Sequence, residues 1–140
     1  MSERIPTLIV GGTGYVAGEL LRLVAGHPQL DLHGVSSETA AGTSVSAAFP
    51  HLAPVLKAEG FITQADLAAR MTAPRMALFA AAPHAVSAGV IATLLEAAAA
   101  RQCQLTVVDV SSDFRFKDAA AFQAVYKTPH GAPELLPLFT

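Results

Sequence analysis

The stretch with most chemistry in it is "LIVGGTGYVAGELLRLV", Leu8 to Val24, where an apolar run ends in glycines and passes straight into an amphipathic pattern. A strand that feeds a helix through such a turn gathers free backbone N–H groups and the positive end of the helix dipole at one point. That is an anion site. Gly11 would allow the tight turn out of the strand, and Gly14 would let the backbone approach a pyrophosphate with no Cβ in the way. Ala17 fits the third position, which sets how closely the helix packs on the strand and accepts alanine. The pattern is GxxGxxA, and Gly11, Thr13, Gly14, Tyr15 and Val16 are the residues expected to bind a dinucleotide. A Walker-type phosphate loop is excluded, because a lysine followed by Ser or Thr at the required spacing is missing.

Other polar residues fall where such a ligand would be read. At the tip of the second strand, Ser36 and Ser37 could donate to a ribose 2′-phosphate, whereas Glu38 would repel that phosphate if it pointed inward. The residues leave open NADP against NAD, and leave open serines that merely start a surface loop. In "AAAPHAVS", Pro83 and His84 end a buried strand, at the edge where open α/β sheets bind ligands. Two readings stand there: contact with a nicotinamide or its ribose, or a helix-start histidine half in solvent. "DVSSDFR" places Asp109, Ser111, Asp113 and Arg115 one strand further on. Arg115 could clamp a phosphate or carboxylate bidentately, or pair with Asp113 to fix the loop. The lone Cys103 precedes a strand, at the end opposite the glycine loop, and is rejected as a nucleophile. His27, His33, His51, His84 and His130 show no spacing that would gather a metal.

These residues need a scaffold, and the chain alternates strand and helix to supply one. "IPTLIVG" is a buried strand ending at Val10, and helical spacing from Gly14 to Ala25 closes at Gly26 and Pro28. "LDLHGV" is a second strand, followed by a loop through Thr43. Residues 44–62, punctuated by Pro50, Pro54 and Gly60, are the least readable. Asp66 is expected to cap a short helix through Met71, and "MALFAAA" from Met76 to be a buried strand ending at Pro83. A helix from Val86 to Arg101, a strand "LTVVDV" and a helix from Ala119 to about Tyr126 capped by Asp118 complete the series. Such alternation implies a doubly wound α/β domain with a parallel, Rossmann-type sheet.

Composition agrees with one packed domain over residues 1–140. Hydrophobic residues are 52% and charged residues 14%, the reverse of a disordered chain. A net charge of -2 offers no basic field for nucleic acid. No apolar run is long enough to span a membrane, and "MSERIPT" lacks a signal peptide's apolar segment, so the chain reads as cytoplasmic. One cysteine cannot make an internal disulfide, which suits a reducing compartment.

Seven pieces in order carry a resemblance: "GGTGYVAGELLRL", "HPQLDL", "VSSETAAG", "FPHL", "AAAPHAVS", "VVDVSSDFRFKD" and "PHGAPELL". Together the chain resembles the N-acetyl-gamma-glutamyl-phosphate reductase family of arginine biosynthesis. The resemblance implies an NADPH-dependent reductase that converts an acyl phosphate to an aldehyde and releases phosphate. In that family a cysteine attacks to form a thioester, which hydride then collapses. That cysteine sits in an Asn-Pro-Gly-Cys-Tyr motif, absent from this sequence, as is the histidine that assists it.

The implied protein is about twice this length and a homo-oligomer. The present chain resembles its N-terminal nucleotide-binding portion, without the substrate domain, expected to bind and not to catalyse alone, with an apolar surface left exposed. Ala17 replaces a usual glycine, Glu38 an arginine that often follows the two serines, and Lys127 a glycine. Alternatives are a lysine-pathway aminoadipyl-phosphate reductase, an aspartate-semialdehyde dehydrogenase relative, or a non-catalytic nucleotide-binding module.

Overall fold

The computed structural model describes residues 3–11, 13–56 and 59–140. Gly12 of the glycine loop lies outside them. Four parallel strands, β1 (Ile5–Val10), β2 (Leu30–Ser36), β3 (Arg75–Ala80) and β4 (Gln104–Asp109), form one sheet in the order β2-β1-β3-β4. The chain leaves β1 toward β2 on one side and returns to place β3 on the other. The carboxyl ends of β1 and β3 therefore flank the point where the winding reverses, the ligand crevice of open α/β sheets.

Alternation along β1 assigns its two faces. Leu8 and Val10 join Met76, Leu78 and Ala80 of β3 under α5 (Ser87–Ala100), with Ile91 and Leu94 packing down on them. Ile9 faces the other way, against Leu21 and Val24 of α1 (Tyr15–Ala25) and Val35 of β2. One strand thus feeds two cores, the arrangement that a side-chain period of two dictates for a sheet covered on both faces.

β2 carries a local irregularity that this packing needs. Thr7 pairs with Leu32 but Leu8 pairs with Gly34, so His33 is an extra residue in the β1–β2 ladder. The inserted residue resets the alternation, and Leu32 and Val35 both reach the α1 core despite their odd separation. Gly34, next to it, lets the short helix α4 (Gln64–Ala69) settle on β2, since a Cβ there would stand 3.0 Å from Leu67 Cδ1.

The region that resisted sequence reading holds short pieces: α2 (Val45–Ala48), a 3₁₀ turn at Pro50–Leu52 and α3 (Ala53–Leu56). Ser44 caps α2 by accepting from the Ala47 N–H. Phe49 then lies against Gly18, where a Cβ would come within 2.7 Å of its ring. Asp66 is not the cap of α4. Thr63 is, accepting from the Asp66 N–H at 3.1 Å while donating its own hydroxyl to Asp66 Oδ2 at 2.9 Å. Strand β3 ends at Ala80, short of Pro83. Asp118 does cap α6 (Ala119–Tyr126), and Lys127 closes it at φ +59°. That left-handed conformation, unfavourable for a side chain, explains why glycine suits this position better.

β4 is an edge of the sheet, with Val108 exposed on it, Val110 exposed just after it and Leu138 exposed in the 3₁₀ segment Pro133–Leu138. Among the described residues, no helix is long and apolar enough to cross a membrane.

Candidate nucleotide site

β1 ends at Val10 and the backbone turns at Gly11 with φ +82°. A second constraint acts on this glycine. The segment after β3 crosses directly over it, held by the Ala81 N–H donating to the Val10 carbonyl at 2.9 Å. A Cβ on Gly11 would stand 2.6 Å from the Ala81 carbonyl carbon and the Ala82 nitrogen. Gly11 is thus a packing requirement as well as a turn.

Gly14 differs in kind. It is the N-cap of α1 in an extended conformation that any residue adopts, and a Cβ there would meet nothing within 4 Å. Its emptiness faces the start of α1, which has no side-chain cap and no acidic residue in its first turn. The first N–H groups of a helix have no intrahelical partners, so an uncapped start with free approach suits an anion. Thr13, Tyr15 and Val16 beside it are exposed. Beneath them a cavity of about 550 Å³ opens between Thr13, Gly14 and Tyr15 on one side and Phe49 and His51 on the other. Ala17 is buried in the helix–strand contact.

The tip of β2 comes next around the edge. Ser36 and Ser37 are both buried, and the Ser37 N–H donates to the Ile62 carbonyl at 3.0 Å. Ser37 Oγ lies 3.3 Å from Thr39 Oγ1 and accepts from the Ala40 N–H, so the serine shapes the start of the loop. Glu38 is turned to the start of α4, where Oε1 accepts from the Gln64 N–H at 2.6 Å.

On the other side of the crevice, Pro83 and His84 are exposed where the chain leaves β3 for α5. The His84 ring lies 5.4 Å from that of Tyr126 on α6. Ala85 follows at φ +66°. The loop after β4 binds this corner through Asp113, which accepts from the Ala85 N–H at 2.7 Å and from the Ala88 N–H at 2.9 Å. Asp109 accepts from Ser87 Oγ at 2.9 Å and Ser111 Oγ at 2.8 Å, and Ser111 Oγ in turn accepts from the Asp113 N–H. His130 Nδ1 accepts from the Ala132 N–H, so Nε2 carries the hydrogen that it donates to the Asp113 carbonyl at 2.6 Å.

This network corrects one expectation from the sequence. Asp113 is not an ion-pair partner of Arg115: it is fully buried and its carboxylate is satisfied by backbone, while Arg115 is exposed. The ion pairs among the described residues are Arg4–Asp31 and Arg22–Glu19. Arg115 lines a separate cavity of about 510 Å³ with Val107 to Ser111 and Phe139. The Asp113–His130 network escaped sequence reading, since nothing local to "SSDFR" or "PHG" says that they meet.

Cys103 is 7% exposed, immediately before β4 and so at the amino edge of the sheet. Burial pushes its thiol pKa up, which disfavours the nucleophilic thiolate.

Known proteins resemble this arrangement. The family described as "Semialdehyde dehydrogenase, NAD binding domain" matches residues 7–137. N-acetyl-gamma-glutamyl-phosphate reductase of Magnetococcus marinus is 39% identical over 137 residues, covering 98% of this chain and 37% of that protein. The enzyme of the same name from Azotobacter vinelandii is 41% identical over 129 residues, 92% of this chain and 35% of its own. The chain therefore spans little more than a third of these relatives' length, a smaller share than the half expected from the sequence. Among solved structures, aspartate semialdehyde dehydrogenase with NADP from Candida albicans aligns at a TM-score of 0.58 and 17% identity. That alignment covers 84% of this chain and 32% of the other, and it supports the fold alone.

Proposed function

We propose, from the premise that this chain belongs to the family of semialdehyde dehydrogenase NAD-binding domains, that it is the NADP-binding domain of an N-acetyl-gamma-glutamyl-phosphate reductase. The observation that carries the reading is Gly14, open to solvent on the side where a Cβ would project, at the uncapped start of α1 and beside the sheet's reversal point. When bound, the dinucleotide supplies the hydride that reduces the acyl group. The chain's own residues bind and orient it. The N–H groups of Tyr15 and Val16 with Thr13 hold the pyrophosphate over Gly14, and Gly11 fixes the turn that presents them.

At the adenosine end, Ser36 and Ser37 face the ribose from the tip of β2. Glu38, whose charge would repel a 2′-phosphate, is engaged by the Gln64 N–H, and this favours NADP. Pro83 and His84 take the nicotinamide end. Arg115, exposed with five donors in a planar fork, is assigned to a phosphate or carboxylate of the substrate.

The reduction itself belongs to a longer polypeptide in this reading. The chain's one cysteine is buried at the opposite edge of the sheet from the glycine loop, and by itself the chain binds without catalysing. A cytoplasmic location, an acyl-phosphate substrate and a homo-oligomeric full-length enzyme come with the same assignment.

Calorimetric titration of the chain with NADPH and NADH tests it. The expected result is one saturable site, tighter for NADPH by about tenfold, or about 1.4 kcal/mol. No heat with either would remove the dinucleotide reading, and a preference for NADH would remove the NADP assignment alone.

A further inference from the structure

The corner after β3 is held in a conformation that its own sequence does not favour. Ala85 sits at φ +66°, where an L-residue's Cβ crowds the following carbonyl, and a non-glycine residue persists there only when its surroundings impose it. The Val86 and Ser87 N–H groups close the turn onto the Pro83 carbonyl at 3.1 and 3.0 Å, and the side chain that holds the turn from outside is Asp113. Asp113 Oδ1 accepts from the Ala85 N–H at 2.7 Å, and Oδ2 accepts from the Ala88 N–H in the first turn of α5 at 2.9 Å.

Asp113 is itself held at both ends of its backbone. Its N–H donates to Ser111 Oγ at 3.1 Å, its carbonyl accepts from His130 Nε2 at 2.6 Å, and the residue is 0% exposed. Two bonds from a carboxylate that cannot turn away thus tie the Ala85 turn and the start of α5 to the loop after β4.

Resting on the dinucleotide reading above, we propose that Asp113 is a positioning residue for the nicotinamide half of the cofactor. By holding Ala85 and the start of α5 it sets the Pro83–His84 corner against which the nicotinamide and its ribose pack. It touches neither substrate nor cofactor. The adenosine half, bound across α1 and the tip of β2, does not depend on it.

That division gives the test. Asp113→Asn keeps the side chain's size and loses at least one of the two acceptors. The chain and this variant are titrated with NADPH and with adenosine 2′,5′-bisphosphate, which lacks the nicotinamide half. The expected result is an NADPH Kd raised about tenfold and a bisphosphate Kd changed less than about twofold. Unchanged NADPH affinity overturns the assignment, as does an equal loss for both ligands, which marks general damage to the fold. Failure of the unsubstituted chain to bind NADPH overturns the dinucleotide reading and this inference with it. If the variant does not fold, amide exchange in the unsubstituted chain decides. NADPH, and not the bisphosphate, slows exchange at Ala85 and Ala88 if Asp113 acts on the nicotinamide half, and equal slowing by both overturns it.

Discussion

Gly14→Val is expected to remove NADPH binding from a chain that remains folded. A Cβ at this position meets no protein atom within 4 Å, so the isopropyl group enters space that the protein leaves open and that the proposed reading gives to the pyrophosphate. The backbone, at φ -80° and ψ 170°, already lies where valine is at ease. The cost to the fold is the exchange of a tolerated N-cap residue for a poor one, about 1 kcal/mol or less. The loss in affinity is expected to be about a hundredfold or more, equivalent to about 2.7 kcal/mol. Calorimetry beside a thermal melt separates the two quantities. A variant that melts like the parent and binds with its affinity would show that the pyrophosphate lies elsewhere.

Gly11→Ala is expected to act the other way, on the fold before the ligand. A single methyl group would stand 2.6 Å from backbone atoms of Ala81 and Ala82, which cannot rotate aside as a flexible side chain would. The residue would also keep φ +82°, a conformation that costs about 1–2 kcal/mol for an L-side chain. Forcing the backbones of β1 and β3 apart adds about 1–3 kcal/mol, as overpacking of a close-packed interior does. Domains of this size lose about 3–4 °C per kcal/mol, so the melting temperature should fall by about 6–20 °C. A melt within about 2 °C of the parent would mean that the chain over Gly11 moves aside freely, and that the crossing is not the constraint described.

Two glycines three residues apart thus carry different burdens, and only part of that difference was legible in the sequence. The strand-turn-helix context around "GGTGYVA" is local, and it led directly to β1, the turn at Gly11 and α1. That Gly11 also lies under Ala81 and Ala82 is a contact across some seventy residues, which no local pattern encodes. The same limit explains the unreadable stretch around Phe49. Four-residue helices have almost no periodicity to detect, and what fixes them is the Phe49 ring against Gly18 of α1.

Other misreadings had a usable signal. Thr63 and Asp66 stand three apart, the reciprocal capping pattern that marks a helix start, so the true cap of α4 was written in the chain. Asp113 lacked any such signal. Its nearness in sequence to Arg115 suggested an ion pair, whereas its burial, which periodicity in a loop cannot report, gave it to the Ala85 and Ala88 amides.

The central claim is that a dinucleotide lies across the carboxyl edge from α1 to the β3–α5 corner. Two-dimensional amide NMR of the chain during titration with NADPH tests it directly. The account predicts saturable shifts at Gly11, Gly14, Tyr15, Ser37 and His84, with Arg4, Arg75 and Gln104 at the amino edge unmoved. Saturation without shifts in the glycine loop, or shifts confined to the amino edge, would contradict it.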